Sequence, residues 1–132
     1  SNAKLWDCNK AKTIVIYDSS TANESYLKRI PKCVEVEKVS SDNPDLISKV
    51  LASRGCNKVL WECGPKLATA AIQSNCIQEM ITFIAPKILG GENSMNPFGD
   101  FEFEEMQEII KLSDSQVSLI GNDICVKSSF KN

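Results

Sequence analysis

The stretch KVLWECGPKLATAAIQSN, residues 58–75, decides the fold. Its first four residues, 58–61, form a short apolar run that predicts a buried strand. Gly64 and Pro65 interrupt this run, and they suit the N-cap and first position of a helix, where the missing proline N–H costs nothing. Apolar residues then recur at helical spacing through 66–75. The stretch therefore predicts a strand, a tight turn and a helix.

A turn of this kind has two interpretations. The free N–H groups and the positive dipole end at the start of a helix bind phosphate in many α/β proteins. The same geometry also occurs in a βα unit that only packs a core, and one small glycine turn is a weak signal. The spacing alone favours the packing interpretation.

Length, charge and hydropathy exclude several classes of function. A length of 132 residues is typical of one domain. The net charge is −2, and the sequence contains no long run of residues with the same charge. Nothing therefore indicates a nucleic acid or an anionic membrane as partner. No apolar run approaches the roughly 18 residues of a membrane span, and no secretory signal pattern is present. We expect a cytoplasmic protein.

The first three residues, Ser-Asn-Ala without an initiator methionine, are typical of a cleaved expression tag. We exclude residues 1–3 from the fold and treat 4–132 as one domain. The natural chain is expected to be part of a longer protein.

The six cysteines form no C-x-x-C pair, and the chain has no histidine. Their spacing does not suit the common zinc sites, so we predict no metal. Cys56 and Cys63 flank the predicted strand, which would hold them roughly 20 Å apart. We therefore predict six reduced thiols in an intracellular protein. The missing histidine also removes the usual general base, and the sequence identifies no catalytic residue.

The remaining periodicities predict alternating strands and helices. Helices are predicted at 23–30, where Pro31 stops the helix, and at 45–53, which Gly55 ends. Strands are predicted at 13–17 (buried on both faces), 34–39, 79–89 (with Pro86 at a bulge or edge), 106–112, 116–120 and 124–130, and a tight hairpin at 121–123. This order indicates an α/β sandwich with a mostly parallel central sheet and an antiparallel C-terminal end.

Three further groups of residues have structural and functional interpretations. The hydroxyl-rich segment 18–21 could line a ligand site, but a turn is favoured. The charged residues of 34–39 need no role beyond solvation. In the polar loop 90–100 and the segment after it, Phe98, Phe101 and Phe103 are expected to anchor the chain to the core rather than to stack on a ligand.

The segment VLWECGPKLATAAIQSNCIQEMITFIAPKILGG, residues 59–91, resembles the reductase domain of the bifunctional riboflavin-biosynthesis deaminase–reductase. The matching positions are Glu62, Gly64, Pro65, Leu67, Glu79, Ile84, Ala85, Pro86, Lys87, Leu89 and Gly90. GNDICVK, residues 121–127, is similar to that family's last hairpin. The resemblance implies a dihydrofolate-reductase-like three-layer sandwich.

The chain departs from the family pattern in several places. Cys63 replaces a glycine or alanine, Gln78 replaces an acid, and Lys66 replaces a threonine, which exchanges a hydroxyl for a cation. The family's opening strand, with its Lys-x-Ala-x-Ser-x-Asp-Gly-like motif, is absent. The resemblance therefore implies the C-terminal portion of a reductase domain without its opening strands, which is not expected to be a complete catalyst.

The resemblance implies a reaction and a site. NADPH would reduce 5-amino-6-(5-phosphoribosylamino)uracil at C1 of its sugar, giving the ribitylamino product. The implied substrate contact is Glu62, and the implied cofactor contacts are Gly64, Pro65, Lys66, Leu67, Ala68, Thr69 and Ala70. For Lys66, a phosphate contact and an ordinary solvated lysine remain equal alternatives.

Two other functions remain open from the sequence. The chain could be a reductase of the same fold that acts on another substrate, or a non-catalytic fragment that keeps only cofactor binding or self-association. Because loss of the opening strands would leave an open sheet edge, we expect a homo-oligomer.

Overall fold

The computed structural model describes residues 3–91, 94 and 96–131. Positions 1 and 2 of the predicted tag scar, and 92, 93 and 95 of the predicted loop 90–100, lie outside this range. The elements, in chain order, are a 3-10 turn at Lys4–Trp6, β1 (Ile14–Asp18), α1 (Glu24–Leu27), β2 (Glu35–Val39), α2 (Pro44–Ser53), α3 (Pro65–Gln73), β3 (Glu79–Ile84), a 3-10 turn at Met106–Glu108, β4 (Leu112–Ile120) and β5 (Asp123–Phe130).

These elements form two compact units, residues 1–57 and 58–132. In the first unit β1 and β2 pair in parallel, with Ile14 opposite Glu35. In the second unit three strands pair antiparallel in the order β3-β5-β4. The predicted mixture of helices and strands is confirmed. The predicted mostly parallel sheet is wrong, because one strand pair is parallel and two are antiparallel.

The predicted buried strand at 58–61 is also wrong. These residues form no ladder with the described strands, and the side chain of Leu60 is 80% exposed. A strand needs a neighbour to accept its backbone hydrogen bonds, and apolar composition alone does not supply one.

Local sequence signals define the helices. The side chains of Asn23 and Asn43 accept hydrogen bonds from the N–H groups of Ser25 and Asp45, which caps α1 and α2. Gly55, with φ of +86°, ends α2 in the left-handed conformation that glycine adopts without strain. The three predicted helices are therefore confirmed, although α1 is shorter than predicted.

The strands differ from the prediction mainly at their ends. β1 lies one residue later than predicted and is half-buried rather than buried on both faces. β3 ends at Ile84, two residues before Pro86, which has no N–H to donate. The predicted strand 106–112 instead begins as a 3-10 turn, since the Glu108 carboxylate accepts hydrogen bonds from the N–H groups of Glu104 and Glu105.

The predicted hairpin between the last two strands is confirmed. Ile120 pairs with Asp123, so Gly121 and Asn122 form a two-residue loop. Gly121 has φ of +61°, and Asn122 has no positive φ, as in a type II′ turn. The segment 18–21 also forms the favoured turn, with the Asp18 carboxylate accepting hydrogen bonds from Ser20.

Each unit has a small apolar interior. Val34 and Val39 are buried in the first unit, and Ala71 and Cys125 in the second. None of the helices in the described ranges is long and apolar enough to cross a membrane.

The prediction of six reduced thiols is wrong for two of them. Cys8 and Cys33 form a disulfide, with their Cα atoms 6.2 Å apart. The chain brings them together because the Thr13 hydroxyl donates to the Leu5 carbonyl at 2.8 Å and the Thr13 carbonyl accepts from the Glu35 N–H at 3.0 Å. Sequence spacing could not show this fold-back. The other cysteines are free thiols, at Cys56, Cys63, Cys76 and Cys125.

Candidate functional site

The first turn of α3 leaves backbone donors free. Gly64 is the N-cap residue and Pro65 the first helical residue, as predicted. The Ala68 N–H donates to the Gly64 carbonyl at 3.0 Å, whereas the N–H groups of Lys66 and Leu67 have no acceptor among the described residues. Two adjacent donors therefore point out of the start of the helix.

The charge at this helix start differs from that at the other two helices. Helices α1 and α2 each begin with an asparagine cap and an acidic residue, Glu24 or Asp45. The first turn of α3 has neither a side-chain cap nor an acidic residue. It carries Lys66, which is exposed and forms no ion pair within the described part of the chain. The helix dipole and this lysine together make the turn electropositive.

Gly64 faces open space. Its backbone is extended, with φ of −75° and ψ of 171°, a conformation that any residue can adopt. A Cβ atom added there would meet no atom of the chain within 4 Å. The chain itself therefore does not require glycine at this position, and the open space admits a ligand close to the backbone.

The other predicted site residues divide by exposure. Glu62 is exposed just before the N-cap and has no hydrogen-bond or ion-pair partner among the described residues. Pro65, Leu67, Ala68 and Ala70 are half-buried on the helix. Thr69 is only 5% exposed, so its hydroxyl faces the protein rather than solvent. Glu62, Gly64 and Lys66 are therefore the exposed residues of the predicted site.

Thr69 makes a contact that the sequence did not indicate. Its Oγ1 accepts a hydrogen bond from the Gly99 N–H at 2.8 Å, and the Pro65 carbonyl lies 3.4 Å from the same nitrogen. A loop thirty residues later in the chain is thus attached to the first turn of α3. No periodicity or motif could have predicted this pairing, since both residues are common in turns and helices.

The segment that contains Gly99 is held together by aromatic contacts. The rings of Phe98 and Phe101 are 6.1 Å apart between centroids, and those of Phe101 and Phe103 are stacked at 5.2 Å. We call residues 98–103 the aromatic loop. The rings contact one another, and Phe103 is 42% exposed, so the predicted anchoring of these phenylalanines to the core stays a prediction.

A shallow pocket of about 350 Å³ lies elsewhere in the second unit. Its lining includes Ile72 and Asn75 from the C-terminal end of α3, and Phe130 from the end of β5. It is therefore at the opposite end of α3 from the free N–H groups, and it is not part of the candidate site.

Among the described residues, two groups have displaced pKa values, and both lie outside residues 62–70. Hydrogen bonds from Arg54 to Glu37 and Glu35 raise the pKa of the Arg54 guanidinium. A hydrogen bond from Lys127 lowers the pKa of the Glu79 carboxyl, and the charges of Lys127 and Lys58 lower it further. Both displacements come from ion pairs between structural elements.

Comparison with known proteins gives a family match over most of the chain. The family described as the RibD C-terminal domain matches residues 1–126. The riboflavin biosynthesis protein PYRR, chloroplastic, of Arabidopsis thaliana is 37% identical over 125 residues, which are 94% of this chain and 21% of that protein. The riboflavin biosynthesis protein RibD of Synechocystis sp. is 37% identical over 123 residues, which are 92% of this chain and 33% of that protein. The chain thus spans between a fifth and a third of these relatives.

A solved structure has a similar fold. A pyrimidine reductase-like protein from Corynebacterium diphtheriae superposes with a TM-score of 0.71 at 20% sequence identity. The match covers 90% of this chain and 50% of that one. The two proteins therefore share a fold.

Proposed function

The chain belongs to the RibD C-terminal domain family, and from that premise we propose that it is the cofactor-binding part of an NADPH-dependent reductase of riboflavin biosynthesis. The proposed reaction is the reduction of 5-amino-6-(5-phosphoribosylamino)uracil, an oxidoreductase step on the ribosyl group that gives the ribitylamino product. Support comes from the family match and from relatives that are named as riboflavin biosynthesis proteins.

The first turn of α3 suits the pyrophosphate of the cofactor. The free N–H groups of Lys66 and Leu67 can donate to phosphate oxygens, and the helix dipole favours the negative charge. A dipole contact of this kind contributes about 0.3–1 kcal/mol. The open space at Gly64 lets the pyrophosphate approach the backbone. We propose that 64–70 form the cofactor side of the site.

NADPH, when bound, supplies the hydride. The task of the chain is then to hold the reactants in place and to set the local charge. Glu62 is exposed beside the N-cap, and in this proposal its carboxylate accepts a hydrogen bond from the substrate. The exposed Lys66 is placed to contact a cofactor phosphate.

The single structural observation that carries the proposal is the pair of free N–H groups, of Lys66 and Leu67, beside the open space at Gly64. Gly64→Val introduces a side chain that meets nothing in the chain itself. We expect saturable NADPH binding by the wild-type chain in isothermal titration. In G64V we expect loss of that binding with a small fall in thermal midpoint, because valine is a poorer N-cap residue than glycine. Gly91→Val, at another glycine without neighbouring atoms but away from α3, is the matched control for the added volume. Its φ of +120° is strained for valine, so its thermal midpoint is measured as well.

The nature of the Lys66 contact has its own test. If Lys66 binds the 2′-phosphate, Lys66→Ala lowers the affinity for NADPH more than the affinity for NADH. An equal loss for both cofactors contradicts a 2′-phosphate contact.

Glu62→Gln should leave NADPH binding unchanged, since the proposed contact of Glu62 is with the substrate. Binding of NADPH by G64V as tight as by the wild type would refute the cofactor site.

The finer features of the fold remain part of the proposal. We propose that the chain has the fold of a dihydrofolate-reductase-like domain, and that the protein acts in the cytoplasm. We also propose self-association, because β4 is an edge strand of its sheet and presents Val117 and Leu119 with exposures of 70% and 74%. A monodisperse monomer in light scattering at all concentrations would contradict self-association.

A further inference from the structure

We infer that Thr69 is a positioning residue, whose hydroxyl holds the aromatic loop against the first turn of α3 so that the loop forms one wall of the cofactor site. The inference rests on the proposed function, since it concerns the same site. It gives Thr69 a role through Gly99 rather than a direct contact with the cofactor.

The burial of Thr69 supports this assignment. The side chain is 5% exposed, so a bound phosphate could reach its hydroxyl only if the neighbouring chain moved away. Its Oγ1 already accepts the Gly99 N–H at 2.8 Å. Thr69 lies one turn beyond Pro65 in α3, and the Pro65 carbonyl is within 3.4 Å of the same Gly99 nitrogen. One amide of the loop is therefore shared by two acceptors on successive turns of α3.

The aromatic loop is suited to act as a wall because its own contacts make it stiff. Phe101 lies between Phe98 and Phe103, with centroid distances of 6.1 and 5.2 Å. Such ring pairs favour a fixed geometry. A single hydrogen bond at Gly99 can therefore fix the position of the whole loop beside the free N–H groups of α3.

Thr69→Val removes the acceptor and keeps the shape of the side chain, whereas Thr69→Ser keeps the acceptor. We expect T69V to bind NADPH with about tenfold lower affinity, which corresponds to the loss of one hydrogen bond. We expect the NADPH affinity of T69S to remain within about twofold of the wild-type value. Thr82→Val, on the half-buried β3 threonine, is the matched control and should leave NADPH affinity unchanged.

Hydrogen–deuterium exchange separates a positioning role from a direct contact. Without cofactor, T69V should exchange the amides of residues 98–103 faster than the wild type, while T69S should not. Weaker NADPH binding by T69V without faster exchange at 98–103 would instead indicate a direct cofactor contact.

The outcomes distinguish this inference from the proposed function. If the wild type does not bind NADPH, the proposed function fails, and this inference fails with it. If the wild type binds and T69V binds equally well, or T69V leaves exchange at 98–103 unchanged, only the role of Thr69 is overturned.

Discussion

The two units of the chain are stabilised in different ways. Residues 1–57 contain a two-stranded parallel sheet, β1 with β2, whereas residues 58–132 contain three antiparallel strands. A parallel pair is slightly less stable per residue, and its strands must be joined by a crossover, here through α1. In the second unit β4 and β5 are joined by a two-residue loop, so most of their ladder forms between neighbours in sequence.

The side chains compensate for this difference. The first unit has a disulfide between Cys8 and Cys33, and Arg54 at the end of α2 reaches two carboxylates of β2. The second unit depends more on its backbone ladder and on closely packed small residues such as Ala71. Both units therefore have side-chain links between residues distant in sequence, including Glu79 with Lys127 and Thr69 with Gly99 in the second, but the described disulfide lies in the first.

The largest expected effect is loss of the disulfide in the first unit. The variant with Cys8→Ser and Cys33→Ser removes a link between residues 25 apart in sequence. We expect it to lose about 3 kcal/mol of unfolding free energy under oxidising conditions, because the unfolded chain regains the entropy of the open loop. Denaturant unfolding, followed with and without a thiol reductant, measures the loss.

The exposed free thiol gives the matched control for this experiment. Cys56→Ser should leave the denaturant midpoint unchanged, since Cys56 has no partner in the disulfide. If the reductant does not lower the midpoint of the wild type, the link between Cys8 and Cys33 does not stabilise the first unit.

The next effect tests the packing of the second unit. Ala71 is fully buried, with 0% exposure. Ala71→Leu adds volume where no space exists, and we expect a loss of about 2 kcal/mol in unfolding free energy. Ala52→Leu, at an exposed position of α2, is the control and should stay within about 0.5 kcal/mol of the wild type. Equal effects of the two variants would show that the interior around Ala71 adapts to larger side chains.

A smaller effect is expected for the ion-pair cluster of the first unit. Arg54 Nη1 lies 2.6 Å from Glu35 Oε2, and Nη2 lies 2.5 Å from Glu37 Oε2. Arg54→Ala should lower the denaturant midpoint, and Arg54→Lys should recover only part of it, because an ammonium lacks the two-armed geometry. High salt should reduce the difference from the wild type. If lysine restores the full midpoint, the charge alone matters and the double contact does not.

The smallest effect is a pH dependence in the second unit. The Lys127 ammonium lies 2.7 Å from Glu79 and lowers the pKa of that carboxyl below its ordinary value of 4.5. A lowered pKa in the folded state stabilises the protein above about pH 4.5, and this contribution is lost as the pH falls through the folded-state pKa. Glu79→Gln should therefore flatten the acid side of a plot of thermal midpoint against pH.

The exposed Glu104 provides the comparison for that pH experiment. Glu104→Gln removes a carboxylate that has no ion pair among the described residues. Its midpoint should follow the wild-type curve below pH 4.5. A Glu79→Gln curve parallel to the wild type would mean that the Lys127 pair adds no pH-dependent stability.

Features that depend on residues adjacent in the chain could be predicted from the amino-acid sequence. Asn43 and Gly55 set the two ends of α2, and the Gly64-Pro65 pair set the start of α3, because caps and φ preferences act within a single turn. Gly121 likewise determined the last hairpin. The helix start on which the candidate site is proposed, Gly64 to Lys66, could be predicted for the same reason.

Features that depend on partners distant in sequence could not be predicted and are seen only in the folded chain. Apolar composition at 58–61 could not supply a strand with a neighbour, and the spacing of Cys8 and Cys33 gave no sign of their pairing. The contact of Thr69 with Gly99 spans thirty residues. Such contacts form only when folding brings two distant segments of the chain together. Their free energy depends on both partners, and the sequence around one residue does not identify the other.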